Sequence, residues 1–218
     1  MISPQKWLPG GGRRAFSLIE IVVAIAVIVI LLVAGVGMLG GTGAQARRSG
    51  ADTLTGMIEQ ARTAAITGRC HVVLAVAEPG DLPANDGRVR LGLFKVETWP
   101  DNSTEPINAV LMRRWRILEN GVVLLGGSFE SLENPLDGSE LLIKYGKNQT
   151  PLGFHAIAFN PRGGLHHPAG SAPVVMRIAE GGYRNGKATP NLRGDSRVIS
   201  ENRLKIGRVT ARPYRIDG

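Results

Sequence analysis

The sequence has little of the chemistry that enzymes and disulfide-bonded proteins need. One cysteine, Cys70, occurs among 218 residues, which excludes an intramolecular disulfide and a thiolate metal cluster. No nucleophile elbow, phosphate-binding loop or zinc-binding helix motif is present, and no pair of acidic residues stands at a spacing that singles it out. We therefore predict that the chain is not an enzyme and needs no cofactor.

Histidine is scarce as well, and the 4 copies do not predict a metal centre. His166 and His167 precede Pro168 in a turn, where adjacent histidines are typically exposed. His71 follows Cys70 at a predicted helix-to-strand junction, where a buried free thiol is the usual outcome. The sequence therefore predicts no metal site.

Charge is absent from a long stretch near the N-terminus. Residues 21–39 are 19 consecutive positions without Asp, Glu, Lys or Arg. A helix of that length spans about 28 Å, close to the hydrocarbon core of a bilayer. Lys6, Arg13 and Arg14 precede it, a distribution that places the N-terminus in the cytoplasm. A signal peptide cleaved after Ala46 and a simple membrane anchor are two interpretations of this segment.

Glu20 favours a third interpretation, because a carboxylate at the start of a lipid-length helix costs about 1–3 kcal/mol. The six residues from Ala15 to Glu20, of sequence AFSLIE, resemble the processing motif of type IV prepilins and type II secretion pseudopilins. The resemblance implies that prepilin peptidase cuts between Ala15 and Phe16, and that Phe16 becomes N-methylphenylalanine. The family's usual residue before the cut is Gly, and Ala15 keeps a small side chain there.

The same resemblance assigns Glu20 to assembly. In the family this glutamate neutralises the N-terminal charge of a neighbouring subunit and so fixes the register of the filament, since an unpaired buried charge is costly. The implied location is the inner membrane, single-pass with a cytoplasmic N-terminus and a periplasmic C-terminal domain, and afterwards the filament. The implied partners are prepilin peptidase, other pilin or pseudopilin subunits, the inner-membrane assembly platform and membrane lipid.

The residues beyond the apolar run predict an amphipathic continuation of the helix from Gln45 to Gly68. Its apolar residues recur at intervals of three and four, at Ala51, Leu54, Ile58, Ala61 and Ala65. Between the two stretches lie several glycines, each of which weakens a helix by about 1 kcal/mol relative to Ala. They predict either a soft point or close helix packing, and they are Gly35, Gly37, Gly40, Gly41 and Gly43.

Short apolar runs between turn signals predict strands after Gly68. They are residues 71–76, 88–96, 109–118, 122–125, 154–159, 173–178 and 203–209. Residues 126–153 are predicted to be loop-rich with an apolar centre at 141–143, and residues 183–195 to be a loop. The predicted fold class is α+β: a long N-terminal α-helix, membrane-spanning in its first half and amphipathic in its second, packed on a C-terminal antiparallel β-sheet domain.

The predicted boundaries follow this pattern. Residues 1–15 form a cytoplasmic leader, 16–43 a transmembrane or filament-core helix, 44–68 the amphipathic helix, and 69–218 the β domain. Three short segments are similar to H-type minor pseudopilins and fimbrial-T-type minor pilins, namely residues 59–69, 157–163 and 206–209.

The last third of the chain is basic. Residues 1–143 carry 13 Lys/Arg and 14 Asp/Glu, a net charge of −1, whereas residues 144–218 carry 13 and 4, a net charge of +9. Arginines beside Tyr183 and Tyr214 suit phosphate backbones and exposed bases. The candidate nucleic-acid contacts are Arg193, Arg197, Arg203, Lys205, Arg208 and Arg212. The alternatives are a solvated face or docking onto an acidic neighbouring subunit.

We therefore predict a structural subunit, a minor pilin or pseudopilin processed by prepilin peptidase and assembled into a type IV pilus or type II secretion pseudopilus. One alternative is a pilus-associated module for DNA binding or uptake, with DNA as its partner. The other is an ordinary secreted β protein cleaved after Ala46.

Overall fold

The structure is a computed structural model that describes residues 18–39, 42–83, 86–100, 105–138, 140–146 and 148–216. The side chains of residues 30–39, 42, 148 and 149 are outside this description. The chain divides into two units, Met1–Thr42 and Gly43–Gly218, and each is described by itself. The predicted leader and the predicted cleavage site at Ala15 and Phe16 lie outside the described residues.

The first unit contains helix α1, Leu18–Leu39. From Leu18 to Val29 every side chain is exposed, and all except Glu20 are apolar. Glu20 lies in the first turn, where a carboxylate interacts favourably with the helix dipole.

Helix α2, Thr42–Gly68, leads into the second unit. Leu54, Ile58 and Ala61 are fully buried, so apolar residues at intervals of three and four lie on the buried face of this helix. The helix ends where Arg69 adopts a left-handed φ of 48° and the Cys70 N–H donates back to the Ala65 carbonyl.

Twelve strands follow α2 in the described residues. Seven of them form one sheet, namely β1 His71–Ala77, β2 Arg90–Val96, β3 Ile107–Leu111, β4 Arg116–Ile117, β6 Leu141–Tyr145, β7 Asn148–Phe159 and β8 Leu165–His167. The other five are β5 Val122–Leu125, β9 Val174–Arg184, β10 Lys187–Pro190, β11 Glu201–Ile206 and β12 Pro213–Ile216. A 3₁₀ turn, Pro135–Asp137, precedes β6.

The first sheet has the order β1-β2-β3-β6-β7-β8, with β4 also on β2, and β1 pairs with β7 as well. The pairing therefore returns to its starting strand. Because β1 lies between two neighbours and is covered on both faces, six of its seven residues are buried. A strand buried on both sides has a continuous apolar sequence rather than an alternating one, and residues 71–77 have this character.

Two apolar clusters divide the faces of this sheet. Val72, Leu74 and Val76 point towards α2 and the second sheet, and Val73 and Ala75 point the other way, because side chains alternate along a strand. The first cluster joins α2 to both sheets and includes Phe159 of β7, and the second contains Phe94 of β2 and Phe154 of β7.

The prediction of one long N-terminal helix is wrong. Helix α1 ends at Leu39 and α2 begins at Thr42, and the glycine-rich sequence around this point disfavours a continuous helix. Among the residues that the structure describes, neither helix combines the length and the hydropathy needed to cross a bilayer. This finding contradicts the predicted single-pass inner-membrane location with a periplasmic domain.

The predicted fold class is wrong for the sheet domain as well. Strands dominate the described chain and form two sheets, and β3 pairs with β6 in parallel. Both findings conflict with a long helix packed on one antiparallel sheet. The resemblance to pilins and pseudopilins implied that architecture, so the structure contradicts the family assignment too.

Three strand predictions also need correction. The strand expected over 109–118 is interrupted after Leu111 and resumes at Arg116. The segment expected to be loop-rich contains β6, and the loop expected over 183–195 contains β10. Strands β6 and β10 are too short for a periodicity to be recognised, and pairing with a long neighbour, β7 or β9, supplies their backbone partners. Strands β3 and β4 both pair with β2, on either side of the interruption.

Candidate anion-binding surfaces

Two of the predicted basic residues, Arg203 and Lys205, lie on β11 of the second sheet, and the other four lie in the segments that connect its strands. Folding neutralises Arg203. Arg203 on β11 is directly opposite Arg177 on β9, a juxtaposition of like charges that is unfavourable on its own. Glu201 compensates both charges, since its carboxylate lies 2.7 Å from Arg177 Nη2 and accepts a hydrogen bond of 2.5 Å from Arg203 Nε. Arg203 also lies over the Phe129 ring, 3.9 Å from its centroid.

Arg208 has a structural role of the same kind. Its guanidinium donates to the carbonyl oxygens of Pro168 and Ala172, and to Glu133 Oε2 at 2.6 Å. A side chain with three such acceptors ties neighbouring segments together, and Arg208 is mostly buried. Neither Arg203 nor Arg208 is therefore available to a phosphate backbone without breaking the fold's own contacts.

Of the other four predicted residues, Arg193, Arg197 and Arg212 are exposed, and Lys205 is half-buried. Arg197 makes an exposed ion pair of 3.7 Å with Asp195, an arrangement that contributes about 0–1 kcal/mol. Arg193 and Arg212 are exposed, and no carboxylate of the described chain lies within ion-pair distance of them. Lys205 faces Tyr214 across the β11–β12 pair, with Nζ 5.8 Å from the ring centroid.

A second basic group, between β3 and β4, was not among the predicted contacts. Trp115 turns inward against Phe94 and Phe154, at ring-centroid distances of 5.5 Å each. Its neighbours Arg114 and Arg116 are exposed on either side of it, together with Arg113. The signal is visible in the sequence as three arginines around one tryptophan, but the expectation of a continuous strand over 109–118 conceals it.

These arginines line a groove beside α2. Two adjoining cavities of about 450 and 510 Å³ share Gln60, Leu93 and Arg113 in their walls. Together they extend along α2 from Asp52 to Thr67. We call this feature the arginine groove, and its lining residues are Asp52, Thr53, Gly56, Met57, Glu59, Gln60, Thr63, Ala64, Thr67, Leu93, Met112, Arg113, Arg114 and Arg116.

The histidines form an aromatic cluster. The ring centroids of His71 and His166 are 4.6 Å apart, and Trp99 lies 4.6 Å from His166 and 5.3 Å from His71. Burial lowers the pKa of both histidines, and the neighbouring His166 lowers that of His71 further. Burial also lowers the pKa of His167 to about 4, with contributions from His166 and Arg208. Neutral rings of this kind pack well against one another.

Metal binding finds no geometric support at this cluster. Within the part of the chain that the structure describes, no three His, Cys, Asp or Glu residues converge on a point that would hold an ion. His71 and His166 contribute ring contacts, and Cys70 is half-buried at the end of α2.

No protein-family model, curated protein or solved structure matches the chain. The prepilin peptidase and the assembly platform, expected from the family resemblance, stay predictions of the sequence analysis. Two features of the described chain bear on function, the exposed apolar helix α1 and the basic surfaces of the second unit.

Proposed function

We propose that the chain is a non-enzymatic structural subunit that assembles with other copies of itself through α1. The observation that carries this proposal is the exposure of the helix. Leu18 is 80% exposed, and Ile19, Ile21, Val22, Val23 and Ile25 are each at least half exposed. A helix that is apolar on every face is ordinarily buried, and an exposed apolar surface of this extent marks an interaction site.

Glu20 gives such an assembly a means of selecting its register. It is the one charged residue from Leu18 to Val29, and burial among apolar helices is costly for a carboxylate without a cationic partner. An arrangement of helices that brings a cation to Glu20 is therefore preferred over the others.

Sedimentation velocity of the full chain tests the proposal. We expect the wild-type chain to sediment as oligomers, and a Val22→Asp/Ile25→Asp variant to shift towards the monomer because two carboxylates interrupt the apolar surface. Val209→Asp is the matched control, since Val209 is an apolar residue of the second unit that is 86% exposed. A wild-type chain that sediments as a monomer contradicts the proposal, as does an identical shift in both variants.

DNA binding is a second candidate function, favoured by the β11–β12 hairpin. Tyr214 is 49% exposed with Lys205 over its ring, and the exposed Arg212 precedes β12. An aromatic ring flanked by cations is the arrangement on which single-stranded bases stack. This hairpin replaces the six-residue set as the proposed contact, because Arg203 and Arg208 are held by the fold.

Fluorescence anisotropy with a labelled oligothymidylate measures this binding. We expect Lys205→Gln/Arg212→Gln to weaken binding and to reduce the slope of log K against log salt by about 1.4, at about 0.7 for each lost phosphate contact. Arg69→Gln is the control, because Arg69 is exposed at the end of α2. Binding that is independent of salt, or equally weakened by both variants, contradicts this function.

A further inference from the structure

We infer that the arginine groove binds an extended acidic segment of a partner protein. This interaction is separate from the proposed assembly and from the proposed DNA contact. It uses α2 and the Met112–Arg116 segment rather than α1 or the β11–β12 hairpin.

The charges of the groove are unbalanced. Its two acidic residues already have partners, since Asp52 Oδ1 accepts a hydrogen bond of 2.5 Å from Arg215 and Glu59 lies 3.7 Å from Arg62. No carboxylate of the described chain pairs with the three arginines that line it, Arg113, Arg114 and Arg116. Guanidinium groups bind carboxylates in a bidentate, charge-assisted geometry, so acidic side chains are the complementary ligand.

The arginines are held on a rigid base. The Trp115 ring packs against β2 at Gly92, where a β-carbon would lie only 2.7 Å from Trp115 Cζ3. The Met112 N–H donates to the Leu93 carbonyl at one end of the segment, and the Leu118 N–H donates to the Val89 carbonyl beyond its other end. A segment fixed at both ends and at its centre presents its side chains with little further loss of conformational entropy on binding.

The lining of the groove favours a peptide over a nucleic acid. Met57, Leu93 and Met112 give it an apolar component, and Gln60 and Thr63 add hydrogen-bonding groups. Its described lining residues include no aromatic side chain, because Trp115 is turned inward against Phe94 and Phe154, and bases would have no ring to stack on. The stretch of α2 from Asp52 to Thr67 is about 22 Å long, which matches about seven residues of extended chain.

Fluorescence anisotropy with the full chain and three labelled probes tests the inference. The first probe is a peptide of about eight residues that alternates Glu and Leu, the second replaces Glu by Gln, and the third is oligothymidylate. We expect the Glu/Leu peptide to bind the chain and the Gln/Leu peptide to bind at least tenfold more weakly, because charge-assisted bonds are lost. Arg114→Gln should weaken binding of the Glu/Leu peptide by about tenfold. Arg184→Gln, a change at an exposed arginine outside the groove lining, should not.

A second variant separates blocking of the groove from damage to the fold. Gly56 lies within α2 in the groove wall, and no heavy atom is within 4 Å of the position its β-carbon would take. Gly56→Gln should therefore reduce peptide binding while raising Tm, because glutamine is a better helix former than glycine. Unchanged peptide binding in Gly56→Gln overturns the inference, as does equal affinity for the Glu/Leu and Gln/Leu peptides. An Arg114-dependent affinity for oligothymidylate above that for the peptide overturns it in favour of a nucleic acid.

Discussion

Gly92 is the residue on which the position of Trp115 depends. A β-carbon there would lie 2.7 Å from Trp115 Cζ3 and 2.9 Å from Phe94 Cε2, distances at which rings must move. Gly92 and Phe94 are both buried in β2, so the displaced ring has little free space. We expect Gly92→Ala to lower the free energy of unfolding by about 1–3 kcal/mol, the usual cost of overpacking, as measured by urea denaturation.

Gly56→Ala is the matched control for that substitution. It adds the same methyl group where nothing lies within 4 Å, in the interior of α2, and should raise stability by about 0.5–1 kcal/mol. If Gly92→Ala left the denaturation midpoint unchanged, Trp115 would not be packed against Gly92 as described. If Gly92→Ala also lost peptide binding, the contact between Trp115 and Gly92 would be shown to position Arg114 and Arg116.

At the scale of single elements, the sequence predicts the helices and strands in which the apolar pattern is long and uninterrupted. Helix α2 repeats its apolar spacing over about four turns, and β1 is a continuous apolar run bounded by the end of that helix. Strands β6 and β10 have five and four residues, too few to establish a period, and their pairing is decided by β7 and β9. The interruption between β3 and β4 is not visible in the sequence, and within it the Trp115 ring packs against Gly92, a residue of another strand.

The candidate sites, like the strands, can be predicted from the sequence only in part. The basic character of residues 144–218 is plain from composition, but the acids that neutralise Arg208 and Arg215 are Glu133 and Asp52, both from the preceding part of the chain. Composition cannot show which arginines find such partners, since the partners are far apart in sequence. The arginine groove could not be predicted from the sequence for a related reason. Whether a carboxylate lies near Arg113 and Arg114 is decided only when the chain folds.

The second unit as a whole has three histidines, His71, His166 and His167, whose pKa values are lower in the folded chain than their ordinary value. Burial is the largest cause of the lowered pKa values of His71, His166 and His167, and the value for His167 is about 4. A histidine whose pKa is lower in the folded chain than in the unfolded chain binds fewer protons when folded. Stability therefore rises with pH between the two values and is lost as pH falls from about 6.5 towards 4.

Urea denaturation at several pH values between about 7.5 and 5.5 measures this loss above the range in which ordinary carboxylates titrate. We expect the midpoint to change little down to about pH 6.5 and to fall below it, and His167→Gln to make the fall shallower by removing the group with the largest shift. His166→Gln should also reduce the slope, since it removes one titrating ring and the positive charge that lowers the pKa of His71 and His167. A midpoint that stays constant from pH 7.5 to 5.5, or a slope that neither substitution alters, would show that the cluster accepts protons as readily in the folded chain as in the unfolded one.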